Sequence, residues 1–278
     1  MSTFSEKPIT MRTADDVTLA GTLVVTGKSS ASAVVMLHGI NADRHEHLGL
    51  YDHLAERLAG RGTASLRFDF RAHGESAYPQ EEMTIAGLCL DVKAAIRTMI
   101  DRLPDLSRLT LLGTSFGAAP AAYTAGTEPL VKNVLLFAPV LDYVLTFLRP
   151  TTEWAKASFT PQTLAAVPET GHLLLDGERR LGAKLLTEME ILHPADAVRA
   201  ARVPTVVIHG DSDSMVPAVQ SRGAAGANPL VDVRIVPGMD HGYMDVSDPD
   251  GVSARSLENR TMIGDSLVSL ALGKDGHD

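Results

Sequence analysis

The chain has 278 residues, 45% of them hydrophobic and 21% charged, with a formal net charge of −9 and one cysteine. That balance suits a single α/β core and lies outside the disordered and fibrous classes, and an acidic chain lacks the Lys/Arg-rich face that tracks a phosphate backbone, so no nucleic-acid partner is expected. The lone Cys89 precludes an internal disulfide, the start MSTFSEKPITMRTADD has neither the basic nor the apolar part of a secretory signal, and no apolar run is long enough to span a bilayer, so the reading is cytoplasmic with no membrane partner.

In chain order, residues 9–12 and 17–25 read as an antiparallel hairpin about the turn-prone Ala14-Asp15-Asp16. Residues 33–37 form a buried strand, 46–59 a helix ended by Gly60 and Gly62, and 63–68 the next strand. Leu88, Val92, Ala95, Ile96 and Met99 recur at helical spacing within 84–103, and Pro104 stops that helix; Cys89 lies in the same pattern and reads as a packed core thiol. Strands follow at 109–112, 134–137, 205–208 and 231–236, with a closing helix at 253–272.

The alternation predicts an α/β fold: a mostly parallel central sheet with an antiparallel N-terminal hairpin and helices on both faces. Between Pro139 and Pro204 the alternation breaks, and Tyr143, Phe147, Trp154 and Phe159 cluster in a chain that is only 5% aromatic. A small helical cap inserted at 139–193 is expected there, between core segments 1–138 and 194–278.

The chemistry starts at Gly113-Thr-Ser115-Phe-Gly117, which follows an apolar strand and precedes the helix-prone 118–125. G-x-S-x-G in that setting reads as a nucleophile elbow, a tight turn that projects the serine into a cleft and aims free N–H groups at developing negative charge. Phe116 N–H is one expected oxyanion donor, and Ile40 N–H, in the loop His38-Gly39-Ile40 after the strand at 33–37, is the second. His38 itself reads as a loop brace.

An elbow of this kind requires an acid and then a histidine, each in a loop beyond a strand end. His241, in Pro237-Gly-Met-Asp-His241-Gly242, is the only one of the ten histidines that follows the last strand and precedes a glycine. Asp213, in His209-Gly-Asp211-Ser-Asp213, is the preferred acid; Asp142 follows the strand before the cap and stays an alternative, Asp211 reads as a turn cap, and Asp240 would have to point away from His241. Asp43, His45, Glu46 and His47 lack His-Glu-x-x-His spacing, Asp245, Asp248 and Asp250 do not match a calcium loop, and no Gly-rich phosphate cradle occurs, so neither metal nor cofactor is expected.

Together, His38-Gly39-Ile40, the run Leu66-Arg-Phe-Asp-Phe-Arg-Ala-His-Gly-Glu-Ser76, Gly113-Thr-Ser-Phe-Gly117, His209-Gly-Asp-Ser-Asp213, Val216-Pro217 and His241-Gly242 resemble small-cap esterases of the α/β-hydrolase superfamily. These include cinnamoyl and feruloyl esterase-like enzymes and the serine aminopeptidase-like group. One departure is Ala72, where such proteins usually carry glycine. The resemblance implies a Ser115, Asp213, His241 trio, oxyanion donors at Ile40 and Phe116, and a cap over the acyl or alcohol pocket. Phe147, Trp154 and Phe159 either bind an apolar or aromatic acyl group or merely seat the cap on the core. The expected activity is hydrolysis of a small-molecule ester or thioester through an acyl-enzyme, without a cofactor. The alternatives are an acyl-transferring or cyclising enzyme of a biosynthetic pathway and a catalytically silent scaffold used for binding. A homodimer through the outer hairpin strand or the closing helix is one arrangement the pattern allows.

Overall fold

The computed structural model describes residues 4–26 and 30–273. Strands β1 (Phe4–Arg12) and β2 (Thr18–Thr26) pair antiparallel in the register Phe4 to Thr26 through Arg12 to Thr18. Then β3 (Ser32–Leu37), α1 (Leu50–Ala59), β4 (Ala64–Phe68), α2 (Ile85–Arg102), β5 (Arg108–Thr114), α3 (Ala118–Ala125) and β6 (Val131–Phe137) alternate. An insertion follows, with a π-helical turn at Val144–Leu148, α4 (Glu153–Ser158), α5 (Pro161–Thr170), a hairpin of β7 (His172–Leu175) and β8 (Arg179–Gly182), α6 (Ala183–Ile191) and α7 (Pro194–Arg199). The chain closes with β9 (Thr205–Gly210), α8 (Val219–Arg222), β10 (Val231–Val236) and α9 (Ala254–Leu272).

Eight strands form one sheet in the order β1-β2-β4-β3-β5-β6-β9-β10. From β4 to β10 every neighbouring pair is parallel, whereas β2 runs antiparallel to both β1 and β4. This is the expected architecture. The central strands are apolar on both sides because both faces are covered. In β3, Ala33, Val35 and Leu37 enter a core beneath α2 and α3, while Val34 and Met36 enter a second core beneath α1 and α9.

Thr84 caps α2 by accepting from Gly87 N–H, and the stripe Leu88, Val92, Ala95, Ile96 and Met99 is buried on the sheet. The insertion is helical as expected but also contains the β7–β8 hairpin, whose turn carries Asp176 and Gly177 at φ 52° and 75°. Among the described residues no helix is long and apolar enough to cross a membrane.

The segment between β4 and α2 is fixed by charge. The buried Arg71 guanidinium donates to Asp91 on α2 and to Asp15 in the hairpin turn. Ala72, next along, has φ 65°, which is why glycine suits this position.

Candidate active site

The loops beyond the carboxyl ends of β3, β5, β9 and β10 converge on one cleft, the usual place for a site in a parallel α/β sheet. At the end of β5, Ser115 is held at φ 51°, a left-handed conformation that costs a non-glycine residue energy. The chain then turns through Ser115–Gly117 into α3. A Cβ on Gly117 would lie 2.2 Å from the Leu37 carbonyl oxygen and 2.6 Å from that of His38, and one on Gly113 would lie 2.7 Å from the Gly117 carbonyl oxygen. The elbow and the loop after β3 therefore press backbone on backbone, which only glycine permits.

Ser115 Oγ donates to His241 Nε2 at 3.1 Å, and His241 Nδ1–H donates to Asp213 Oδ2 at 2.8 Å. Asp213 is also held from behind. Its Oδ1 accepts from the N–H groups of Met215 (2.9 Å) and Val216 (2.7 Å), and its Oδ2 accepts from His209 Nε2 at 3.0 Å. Burial alone would raise the Asp213 pKa, but the charge of His241 and the hydrogen bonds from His209 and His241 outweigh it and hold the carboxyl well below its ordinary value. For His241, burial works in the depressing direction and is overcome by Asp213, with Glu46 and Asp240 adding to the rise.

The other carboxylates are occupied elsewhere. Asp240 Oδ1 accepts from Ser214 N and Oγ and from the N–H of His241 itself, so it turns away from the imidazole. Asp211 caps the turn to Gly238, and Asp142 accepts from Leu145 N–H at the start of the π-helical turn.

The loop after β3 is braced by His38 and Glu46. His38 Nε2 accepts from Phe70 N–H, so the proton sits on Nδ1, which donates to the Gly39 carbonyl at 2.7 Å. Burial lowers the His38 pKa to about 4, which keeps the ring neutral. Glu46 Oε2 accepts from Gly39 N–H at 2.9 Å. The Gly39–Ile40 peptide is thus fixed through its carbonyl, and among the described residues nothing accepts from Ile40 N–H. Phe116 lies in the first turn after the elbow, where N–H groups have no intrahelical acceptor.

Sequence reading missed Glu46, which it placed in a helix; the structure gives it φ 58° and makes it the cap of the short turn His47–Gly49. Tyr51 was also missed. Its hydroxyl lies 2.9 Å from the Leu37 carbonyl and 2.7 Å from Thr114 Oγ1, joining the last residues of β3 and β5. Neither residue type announces such a role in sequence.

Ser115 and His241 open into a cavity of about 600 Å³. Ile40, Val140, Phe147, Trp154 and Met215 give it an apolar side, and Asp43, Glu46 and Asp240 an acidic one. Phe147 and Trp154 line the cavity. Phe159 does not line it: its ring packs against Phe147 with centroids 5.1 Å apart and is almost wholly buried, so it backs the wall rather than forming it. Asp176, in the hairpin turn, accepts from both Asn41 Nδ2 and Trp154 Nε1 and ties the insertion to the loop after β3.

A family model described as serine aminopeptidase, S33, matches residues 28–185, which includes the Ser115 elbow and most of the insertion. The chain belongs to this hydrolase family. Within that S33 assignment, the loops carrying Asp213 and His241 lie beyond the matched stretch, so their arrangement rests on the geometry above. The chain is 32% identical over 120 residues to the quorum-quenching protein AidA of Acinetobacter baumannii, covering 42% of this chain and only 38% of that protein. It is 25% identical over 230 residues to a monoacylglycerol lipase of Mycolicibacterium smegmatis, covering 75% of this chain and 80% of the lipase. The Butyrivibrio proteoclasticus protein Est1E, solved with ferulic acid bound, superposes with a TM-score of 0.74 over 95% of this chain and 99% of its own, at 18% identity, a likeness of fold alone.

Proposed function

We propose that this S33-family hydrolase cleaves small carboxylic esters through an acyl-enzyme, with Ser115 as nucleophile, His241 as base and Asp213 as its orienting acid. One observation carries the reading: the unbroken hydrogen-bonded chain from Ser115 through His241 to Asp213 at the floor of a cavity of about 600 Å³. His241 Nε2 takes the Ser115 proton as Oγ attacks the acyl carbonyl, and the N–H groups of Ile40 and Phe116 receive the oxyanion. Collapse expels the alcohol, which takes its proton from His241. Water, deprotonated in turn by His241, attacks the acyl-enzyme, and the acid departs as Ser115 regains its proton. Asp213 holds Nδ1–H throughout and stabilises the imidazolium.

The insertion serves as the cap, and Phe147 and Trp154 favour an apolar or aromatic acyl group. The names of the lipase and of the ferulate-bound structure make monoacylglycerols and hydroxycinnamoyl esters the first substrates to try, beside short-chain esters and thioesters. The test is intact-protein mass spectrometry after fluorophosphonate treatment, with rates on that panel. A single adduct on Ser115, absent from Ser115→Ala, with turnover of at least one ester class is expected. An unlabelled protein, or an adduct that survives Ser115→Ala, would overturn the proposal.

A further inference from the structure

Behind Asp213 stands a second histidine that the three-residue mechanism does not use. His209, in β9, is fully buried. Its Nε2 faces two acceptors, Asp213 Oδ2 at 3.0 Å and the Val216 carbonyl at 3.1 Å, so Nε2 carries the proton. Its Nδ1 lies 2.7 Å from Oγ of Ser221 in α8, also fully buried, whose hydroxyl donates to it. That hydroxyl fixes the tautomer, much as a carboxylate fixes the ring of a metal-bound histidine. An imidazole sunk in the sheet is costly unless satisfied on both nitrogens, whereas an apolar residue would pack in a strand without that demand.

We propose that His209 is a positioning residue that tunes the Asp213–His241 pair, an inference that rests on the hydrolase mechanism above. Asp213 Oδ2 is shared between two imidazole N–H groups, from His241 at 2.8 Å and from His209 at 3.0 Å. Each donor withdraws charge from the same oxygen, so His209 keeps Asp213 ionised and limits how strongly Asp213 raises His241. The base is thereby held nearer neutrality, where a general base is most effective. The other titratable groups facing His241 are Glu46, from the loop after β3, and Asp240, from the loop after β10; changes at position 209 leave both in place.

The direction follows. Loss of the His209 donor makes Oδ2 more basic, strengthens its hold on His241 and moves the imidazole midpoint to higher pH. The experiment measures the pH dependence of fluorophosphonate labelling at Ser115, and in parallel the NMR titration of the His241 ring, in wild type, His209→Leu, His209→Gln and Ser221→Ala. In His209→Leu the midpoint should move up by about half to one pH unit, with labelling at neutral pH falling by about three- to tenfold. His209→Gln keeps an N–H donor and should restore the wild-type midpoint. Ser221→Ala frees the tautomer and should fall between them. An unchanged midpoint in His209→Leu, or equal shifts in the Leu and Gln variants, overturns the proposal; if His209→Leu does not fold, an unchanged midpoint in Ser221→Ala does so. A wild-type chain that resists the label overturns the hydrolase mechanism instead, and the ring titration still decides whether His209 acts on the pair.

Discussion

Replacing Asp213 with asparagine changes one atom and rewires two histidines. The carboxylate accepts four hydrogen bonds: two backbone N–H groups on Oδ1, and His241 and His209 on Oδ2. An amide satisfies the backbone donors only with its oxygen on their side, which turns its NH2 toward both imidazoles. His241 then has to accept on Nδ1 and carry its proton on Nε2, where it faces Ser115 Oγ and can take nothing from it. His209 can follow, because Ser221 Oγ is able to accept from Nδ1–H. The fold therefore adapts while the base is lost. Turnover is expected to fall on the order of 10⁴-fold, as a wrong tautomer does in such a trio, while stability drops by only about 1–3 kcal/mol for the rearranged buried hydrogen bonds. Burst kinetics on the best ester and urea unfolding measure the two quantities. Turnover within tenfold of wild type, or a greater loss in Asp142→Asn, would refute the assignment of the acid.

Four further outcomes are expected. Gly117→Ala sets a Cβ 2.2 Å from the Leu37 carbonyl oxygen, so it should cost more than about 3 kcal/mol in urea unfolding or displace the loop after β3 and slow labelling of Ser115. Arg71→Met strands the fully buried Asp91 and should cost about 3–5 kcal/mol at pH 8. Burial already raises the Asp91 pKa to about 6, so the penalty should shrink in melts at pH 5, where the acid is neutral. Ala72→Gly relieves φ 65° and should be neutral or stabilising by up to about 1 kcal/mol, where glycine elsewhere would destabilise. Activity should be lost as pH falls through the raised pKa of His241, with a midpoint in kcat/KM above the ordinary 6.5. The stabilisation from that raised pKa runs the other way, complete below 6.5 and fading as pH rises through the folded value, whereas the contribution of Asp213, whose pKa is lowered, is present above 3.8 and fades as pH falls toward its folded value. Melting curves set beside rate profiles separate the two trends.

The strands could be read because parallel strands buried on both faces must be apolar runs. Their ends could not: β5 was expected at 109–112 but spans Arg108–Thr114, since ladder pairing continues through Gly113 and Thr114 after the apolar run stops. The helix expected from residue 46 begins at Leu50, because Glu46, Leu48 and Gly49 adopt φ of 58°, 52° and 65° to carry a carboxylate to Gly39. Nothing local in Asp-Arg-His-Glu-His signals that demand; it is tertiary. The β7–β8 hairpin did leave a signal inside the segment expected to be helical, since Asp176-Gly177 after three leucines is a favoured hairpin turn.

At the site, the legible residues and the hidden ones differ in kind. Ser115 and His241 stand out because the proposed chemistry confines them to fixed places, a strained turn and a strand end, with glycines two residues to either side of Ser115 and one directly after His241. The acid is less constrained, since any carboxylate beyond a suitable strand could reach the imidazole; Asp213 is distinguished by its four donors, three of which come from residues within four positions of it in sequence. Glu46, Tyr51 and His209 act one step back, on Gly39 N–H, on Thr114 and on Asp213. Their task is only to offer a donor or an acceptor at the right distance, and residues of many types at many positions could do that. A role that several residue types can fill from several places leaves no motif, so it emerges only when the fold has fixed the distances.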